Sequence, residues 1–147
     1  MAQGDDPRLQ ELADLIDGKG HGRYGLHDIT QRQHALQSAW QAEREGCSAS
    51  LITAALLHDI GKPKTRAFIE GGGVSFHHHE VVGARLAKKR LQALRFDNDT
   101  IDAVELLTML HLRFHGYGEG EWTDSAVRRY VRDAGEFITH LHVLTRA

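Results

Sequence analysis

Apolar residues recur along this chain at helical spacing, and glycine, proline and capping residues interrupt them often enough to predict about six helices. Asp6-Pro7 opens the first as an N-cap followed by proline at the first helical position. Leu9, Leu12, Leu15 and Ile16 give that helix one apolar face, and Gly18 and Gly20 end it. Thr30 with Gln33 reads as a capping box for a second helix that runs to Glu45 and stops at Gly46. A third begins at Ser48 or Ser50 and is apolar nearly all round through Leu57, which predicts a place at the domain centre. Gly61 should end it, with Pro63 barring continuation. Residues 66–76 form the one place for strands, a short hairpin of Phe68-Ile69 and Val74–Phe76 around Gly71-Gly72-Gly73. A fourth helix is expected from His78 to Leu94 with Val81, Val82, Leu86, Leu91 and Leu94 inward. Asp97 or Asn98 caps a fifth, which carries Ile101, Val104, Leu107 and His111 on one face. Beyond a loop from His115 to Glu121, Thr123 caps a sixth helix to Ala134, and Glu136–Arg146 is helical by pattern. No repeat or linker divides the chain, so an all-α bundle forming one domain over residues 1–147 is expected.

Composition narrows the chemistry. A net charge of −2 places no demand for nucleic acid or an anionic membrane on the chain as a whole. The apolar run Leu51–Leu57 is far too short to span a bilayer, and Met1–Gln10 lacks the basic start and apolar stretch of a secretory leader. With Cys47 as the single cysteine, internal disulfides and thiolate clusters are excluded, and a reducing, cytoplasmic setting is expected. Eleven histidines stand against this plain background, so any bound metal must take imidazole and carboxylate ligands.

His58-Asp59 closes the most apolar helix of the chain. A pair able to carry charge costs several kcal/mol there unless something compensates it, and a divalent cation would do so. The alternative is a simple helix C-cap, although an aspartate at that end opposes the helix dipole. His34, beside Ala35 and Ser38, reads either as a ligand or as a structural histidine. Within His77-His78-His79 successive side chains diverge, so one or two at most can reach a common centre; otherwise the run is a solvated cluster. His111 shares a face with Val104 and Leu107 and needs a partner in the core, and His115 could follow a turn later. His21, His27, His140 and His142 have no informative spacing.

The order His34, His58-Asp59, His79, His111 resembles the HD superfamily of metal-dependent phosphohydrolases and related oxygenases, and Ala54–Lys62 (AALLHDIGK) is similar to its signature. The resemblance implies a compact helical HD bundle whose site holds one or two divalent transition metals (Fe, Mn, Co, Ni or Zn). His34, His58 and Asp59 would hold one ion, and His79 with His111 a second bridged by Asp59. Residues 19–60, including Gly20–Gly25 and His34–Gln37, resemble the di-iron organophosphonate oxygenases. Tyr24 matches their loop tyrosine, but His27 stands where a glutamate is expected. Residues 61–146, through Gly72–Ala84, His111–Gly118 and Trp122–Tyr130, resemble the HD domain of bacterial CCA-adding tRNA nucleotidyltransferases. Such a mosaic raises the expectation of a recombinant or chimeric origin. In that second branch a last ligand aspartate would fall directly after Ala147, with Asp124 and Asp133 too early; water, His142 or a neighbouring chain would stand in its place.

Three activities follow from these resemblances. The first is a phosphohydrolase for phosphomonoesters or 2′,3′-cyclic phosphodiesters, with Asp59 and Lys62 as catalytic residues. Lys62, Arg66, Arg113, His115 and Tyr24 would bind a small phosphorylated substrate. The second is a di-iron oxygenase that needs two irons and Tyr24. The third is a non-catalytic module binding metal or an RNA 3′ end, for which Lys88-Lys89-Arg90 supplies only a short basic run. No membrane is expected as a partner. Apolar Phe137, Ile138 and Leu141 would favour a homodimer if the last helix left them exposed.

Overall fold

The computed structural model describes residue 14, residues 29–114 and residues 122–146. The first predicted helix, apart from a helical Asp14, lies outside the described residues, as do His21, Tyr24, His27 and His115. Helix α1 spans Gln31–Arg44 and α2 spans Ala49–Leu57. The capping box forms as expected: the Gln33 amide donates to Thr30 Oγ1 at 3.1 Å and the Thr30 amide to Gln33 Oε1 at 2.7 Å. Ser48 caps α2 by accepting from the Leu51 amide at 3.3 Å.

Helix α2 stops at Leu57, one turn earlier than Gly61. His58 is its C-cap, and the chain turns through residues 58–61 into a separate short helix, α3 (Lys62–Thr65), with Pro63 in its first turn. Proline therefore opens the next helix, where its missing amide costs nothing. A hairpin follows, β1 (Ala67–Phe68) against β2 (Val74–Ser75), antiparallel with Ala67 opposite Ser75 and Phe68 opposite Val74. Ile69 and Phe76 fall just beyond the paired residues. Gly71, Gly72 and Gly73 all have positive φ (92°, 106° and 107°), which accounts for three successive glycines at the turn.

Helix α4 (His79–Ala93) packs most extensively on α5 (Asn98–Leu110), which Asp97 caps. Its buried face is His79, Gly83, Ala84, Ala87 and Leu91, with Leu94 just after it. Val81, Val82 and Leu86, expected inward, are only half-buried. The reason is backbone proximity: a Cβ on Gly61 would lie 2.2 Å from the His79 carbonyl oxygen and 2.7 Å from the Gly83 nitrogen. Small residues on α4 let the 58–61 turn approach this closely, which larger side chains would prevent.

Helix α6 (Asp124–Ala134), capped by Thr123, leads through a 3₁₀ turn (Gly135–Phe137) into α7 (Ile138–Leu144). Leu141 is fully buried and Phe137 and Ile138 pack against the core, so this segment closes the domain instead of presenting the apolar surface expected to favour a homodimer. Helix α2 lies at the centre, against α1, α5 and α7. Leu51, Leu57, Leu91, Leu107 and Leu141 are essentially solvent-free, each contributing roughly 2 kcal/mol by burial. The all-α expectation holds. No helix among the described residues is long and apolar enough to cross a membrane.

Candidate metal centre

Five side chains from four places in the chain meet at the C-terminal end of α2. His34 comes from α1, His58 and Asp59 from the turn after α2, His79 from the first residue of α4, and His111 from the C-cap of α5. Asp59 is the hub. Its Oδ2 faces His34 Nε2 at 3.6 Å and His58 Nε2 at 3.4 Å, while Oδ1 faces His79 Nε2 at 3.2 Å and His111 Nε2 at 3.7 Å. The four rings form a continuous row, with centroid separations of 5.1 Å (His34–His58), 5.1 Å (His58–His111) and 5.2 Å (His111–His79). All but His34 are buried, and His34 is half-buried.

Local backbone geometry orients three of the rings in the same way. Nδ1 of His58 donates to the Ala55 carbonyl at 2.7 Å, that of His79 to Phe76 at 2.8 Å, and that of His111 to Thr108 at 2.6 Å. A carbonyl only accepts, so each Nδ1 carries a proton, and in the neutral ring Nε2 keeps its lone pair. Those of His79 and His111 point at Asp59, while that of His58 faces Asp59 and also the His34 Nε2, 3.1 Å away. Nε2 of His79 and of His111 are buried and have no hydrogen-bond partner among the described residues. Converging lone pairs beside a carboxylate are unfavourable unless a cation lies between them, and fixing the ring through the other nitrogen is how metal-ligating histidines are held.

The electrostatics agree. Burial pushes the His58 ring down to about 4, only partly opposed by Asp59, so it is neutral near pH 7. Burial likewise lowers His34, again against Asp59. For Asp59 burial acts to raise the carboxyl, but His58, His111, His79 and Lys62 together outweigh it and hold it well below the usual carboxylate range. Two overlapping donor groups result: His34–His58–Asp59 and Asp59–His79–His111, with the donor atoms of each within 4.8 Å of one another. Neutral imidazoles sharing one ionised carboxylate fit divalent transition metals better than calcium.

Lys62 belongs to this cluster. It is 7 % exposed, and its Nζ donates to Asp59 Oδ2 at 2.7 Å with the Phe76 ring 5.7 Å away. Arg66 does not join it: the side chain is exposed and its guanidinium lies over Phe68, 5.2 Å from the ring centroid. The Arg113 guanidinium is engaged by Asp133, whose carboxyl it lowers. Tyr24 and His115 lie outside the described residues. His77 and His78 are exposed, leaving His79 as the member of that run that reaches Asp59. Asp124 is exposed, and His142 stacks on Tyr130 (6.0 Å, 18° between planes), so neither supplies a further ligand. Among the described residues both donor groups depend on the single carboxylate of Asp59. Sequence reasoning missed the three carbonyls that orient the rings; their signal was the placement of His58 and His111 directly after helices, where carbonyls lack helical partners.

A helical bundle with a His-Asp pair at its centre defines the HD class, and the HD-domain family model matches residues 26–141; the chain belongs to this family. It is similar to the A-adding tRNA nucleotidyltransferase of Deinococcus radiodurans, 29% identical over 133 residues, covering 88% of this chain and 30% of that protein. It is also similar to the CC-adding tRNA nucleotidyltransferase of Thermus thermophilus, 36% identical over 109 residues, 71% of this chain and 24% of that protein. A third similarity is to the hydroxymethylphosphonate dioxygenase of Gimesia maris, 43% identical over 54 residues, 37% of this chain and 26% of that protein. The chain thus spans under a third of each relative's length. Likeness to the nucleotidyltransferases covers 88% of the chain and so extends beyond residues 61–146 into the first part.

Proposed function

We propose that the chain is a metal-dependent phosphohydrolase acting on phosphomonoesters or 2′,3′-cyclic phosphodiesters. The observation that carries this reading is the division of Asp59 between two pairs of imidazoles, Oδ2 toward His34 and His58 and Oδ1 toward His79 and His111. In this reading His34 and His58 hold one divalent ion, His79 and His111 a second, and Asp59 is shared. Bound there, such ions supply Lewis-acid polarisation of a phosphoryl oxygen and activation of water. The chain's own part is to fix the ligands and exclude bulk solvent. The Nδ1 hydrogen bonds hold His58, His79 and His111 in one orientation. Lys62 donates to Asp59 and brings an ammonium to the centre, where it binds a phosphate oxygen. The relatives named for tRNA make an RNA 3′ end a reasonable larger substrate.

Purified protein loaded in turn with Mn, Fe, Co, Ni or Zn should release phosphate from p-nitrophenyl phosphate or open 2′,3′-cyclic AMP, and His58→Ala and Asp59→Ala should abolish this. Absence of metal-dependent turnover on either substrate would falsify the proposal. A second reading, a di-iron oxygenase, is favoured by the 43% identity to the dioxygenase over 54 residues. It predicts two irons per chain and oxygen consumption with hydroxymethylphosphonate.

A further inference from the structure

Away from the metal centre, a cavity of about 310 Å³ opens between α3 and the outer face of α4. Among the described residues it is lined by Ile60, Pro63, Leu86 and Ala93 and by three cations, Lys64, Lys89 and Arg90. Leu86, Lys89, Arg90 and Ala93 recur at helical spacing, so α4 turns one face into it, while the 60–64 segment forms the opposite wall. No carboxylate is among the described residues lining it. That is a marked concentration of positive charge for a chain whose net charge is −2. Neither Lys64 nor Lys89 forms an ion pair among the described residues, whereas adjacent Lys88 turns to α5 and meets Glu105 at 2.6 Å.

We propose that this cleft is a second ligand site, taking a small phosphomonoester with an apolar body. The dianionic phosphate sits between the exposed Lys64 and Lys89, and the body lies on Ile60, Pro63, Leu86 and Ala93. Cations beside apolar side chains in one cleft select this combination. Inorganic phosphate gains nothing from the apolar side chains, and a neutral apolar molecule gains nothing from the lysines. The site's position has a consequence for the centre. Ile60, which lines the cleft, lies between Asp59 and Lys62, and the adjacent Gly61 is wedged against α4 at His79 and Gly83. A ligand in the cleft therefore presses on the segment that carries both residues. The site stands whether or not the metal centre hydrolyses phosphates.

Titration of the full chain with phenyl phosphate, inorganic phosphate and phenol, followed by backbone-amide NMR and calorimetry with a chelator present, tests this. Phenyl phosphate should bind roughly tenfold more tightly than either fragment. The amide shifts should centre on residues 86–93 of α4. The exposed pair Lys64→Ala/Lys89→Ala, with its fold checked by circular dichroism, should weaken binding at least tenfold. Shifts centred instead on His34, His111 and the start of α4 would place the anion in the metal centre and overturn the proposal. So would equal affinity for inorganic and phenyl phosphate, undiminished binding by the double variant, or no binding at millimolar ligand.

Discussion

His58 and His111 end two different helices in the same manner: each follows the last helical residue, donates from Nδ1 to the carbonyl three positions back, and turns Nε2 toward Asp59. The helix terminus serves as a jig. Its last carbonyls have no helical amide to accept from, so they are available to fix a ring, and the fixed ring presents its lone pair to the centre. His79 reaches the same arrangement from a helix start, where the left-handed backbone of His78 (φ 62°) places the Phe76 carbonyl against its ring.

The shared carboxylate makes the two donor groups unequal to mutation. Asp59→Asn should remove both ions, whereas His79→Ala should spare the one held by His34 and His58. Metal content per chain after dialysis distinguishes these outcomes; equal loss in both variants would contradict a bridging Asp59. Asp59→Asn also leaves the buried Lys62 ammonium without its anion, which should cost about 3–5 kcal/mol of stability in urea titrations.

Gly61 should be intolerant of even one added carbon. The new Cβ would meet the His79 carbonyl oxygen and the Gly83 nitrogen, both backbone atoms that cannot rotate away. Gly61→Ala is expected to lose roughly 3 kcal/mol, with metal affinity falling alongside because His79 is displaced. Gly83→Ala, whose nearest contacts are 3.3 Å or longer, should cost less. Thermal unfolding of the two variants gives the ranking.

Much of this centre was legible from helix signals. Thr30 with Gln33, Ser48 or Ser50, and Asp97 or Asn98 placed three helix starts, of which Ser48 and Asp97 are the caps, and the periodicity around Val104, Leu107 and His111 turned His111 inward. The HD resemblance then joined His34, His58, Asp59, His79 and His111, which the fold brings together. What failed were relations between distant segments. Val81 and Val82 looked like core residues because they are apolar, yet the inward side of α4 is set by how closely the Gly61 turn must approach. The pairing of Arg113 with Asp133, twenty residues away on another helix, was likewise not readable from the sequence. The end of α2 was overrun because an αR C-cap at His58 looks like continued helix in the sequence.

Acid should destabilise the metal-free protein in a definite window. His58 is held at about 4 in the fold against an ordinary 6.5, so below 6.5 the unfolded chain takes up a proton that the folded ring refuses. Stability therefore falls as pH drops from 6.5 to 4, by about 3 kcal/mol in total, and then levels for this group. Asp59, depressed below its ordinary 3.8, adds a further loss at lower pH. Urea midpoints of chelator-treated protein between pH 7.5 and pH 4 should show the decline. His58→Gln should flatten it; an unchanged slope would assign the effect elsewhere.

The three cations expected at the phosphate should separate cleanly in kinetics. Lys62 is buried beside Asp59, Arg113 is engaged by Asp133, and Arg66 lies exposed over Phe68. Only the first has its charge at the centre. Lys62→Gln is expected to lower kcat/KM for p-nitrophenyl phosphate about a hundredfold, the loss of one charge-assisted contact to phosphate. Arg66→Gln should change it less than threefold. Arg113→Gln should act through stability, because it releases Asp133 from its partner, and leave kcat/KM of the folded fraction within a few-fold of the parent. A large kinetic loss in Arg113→Gln without a fall in Tm would mean that Arg113 leaves Asp133 to bind substrate, and the division of roles drawn from these contacts would be wrong.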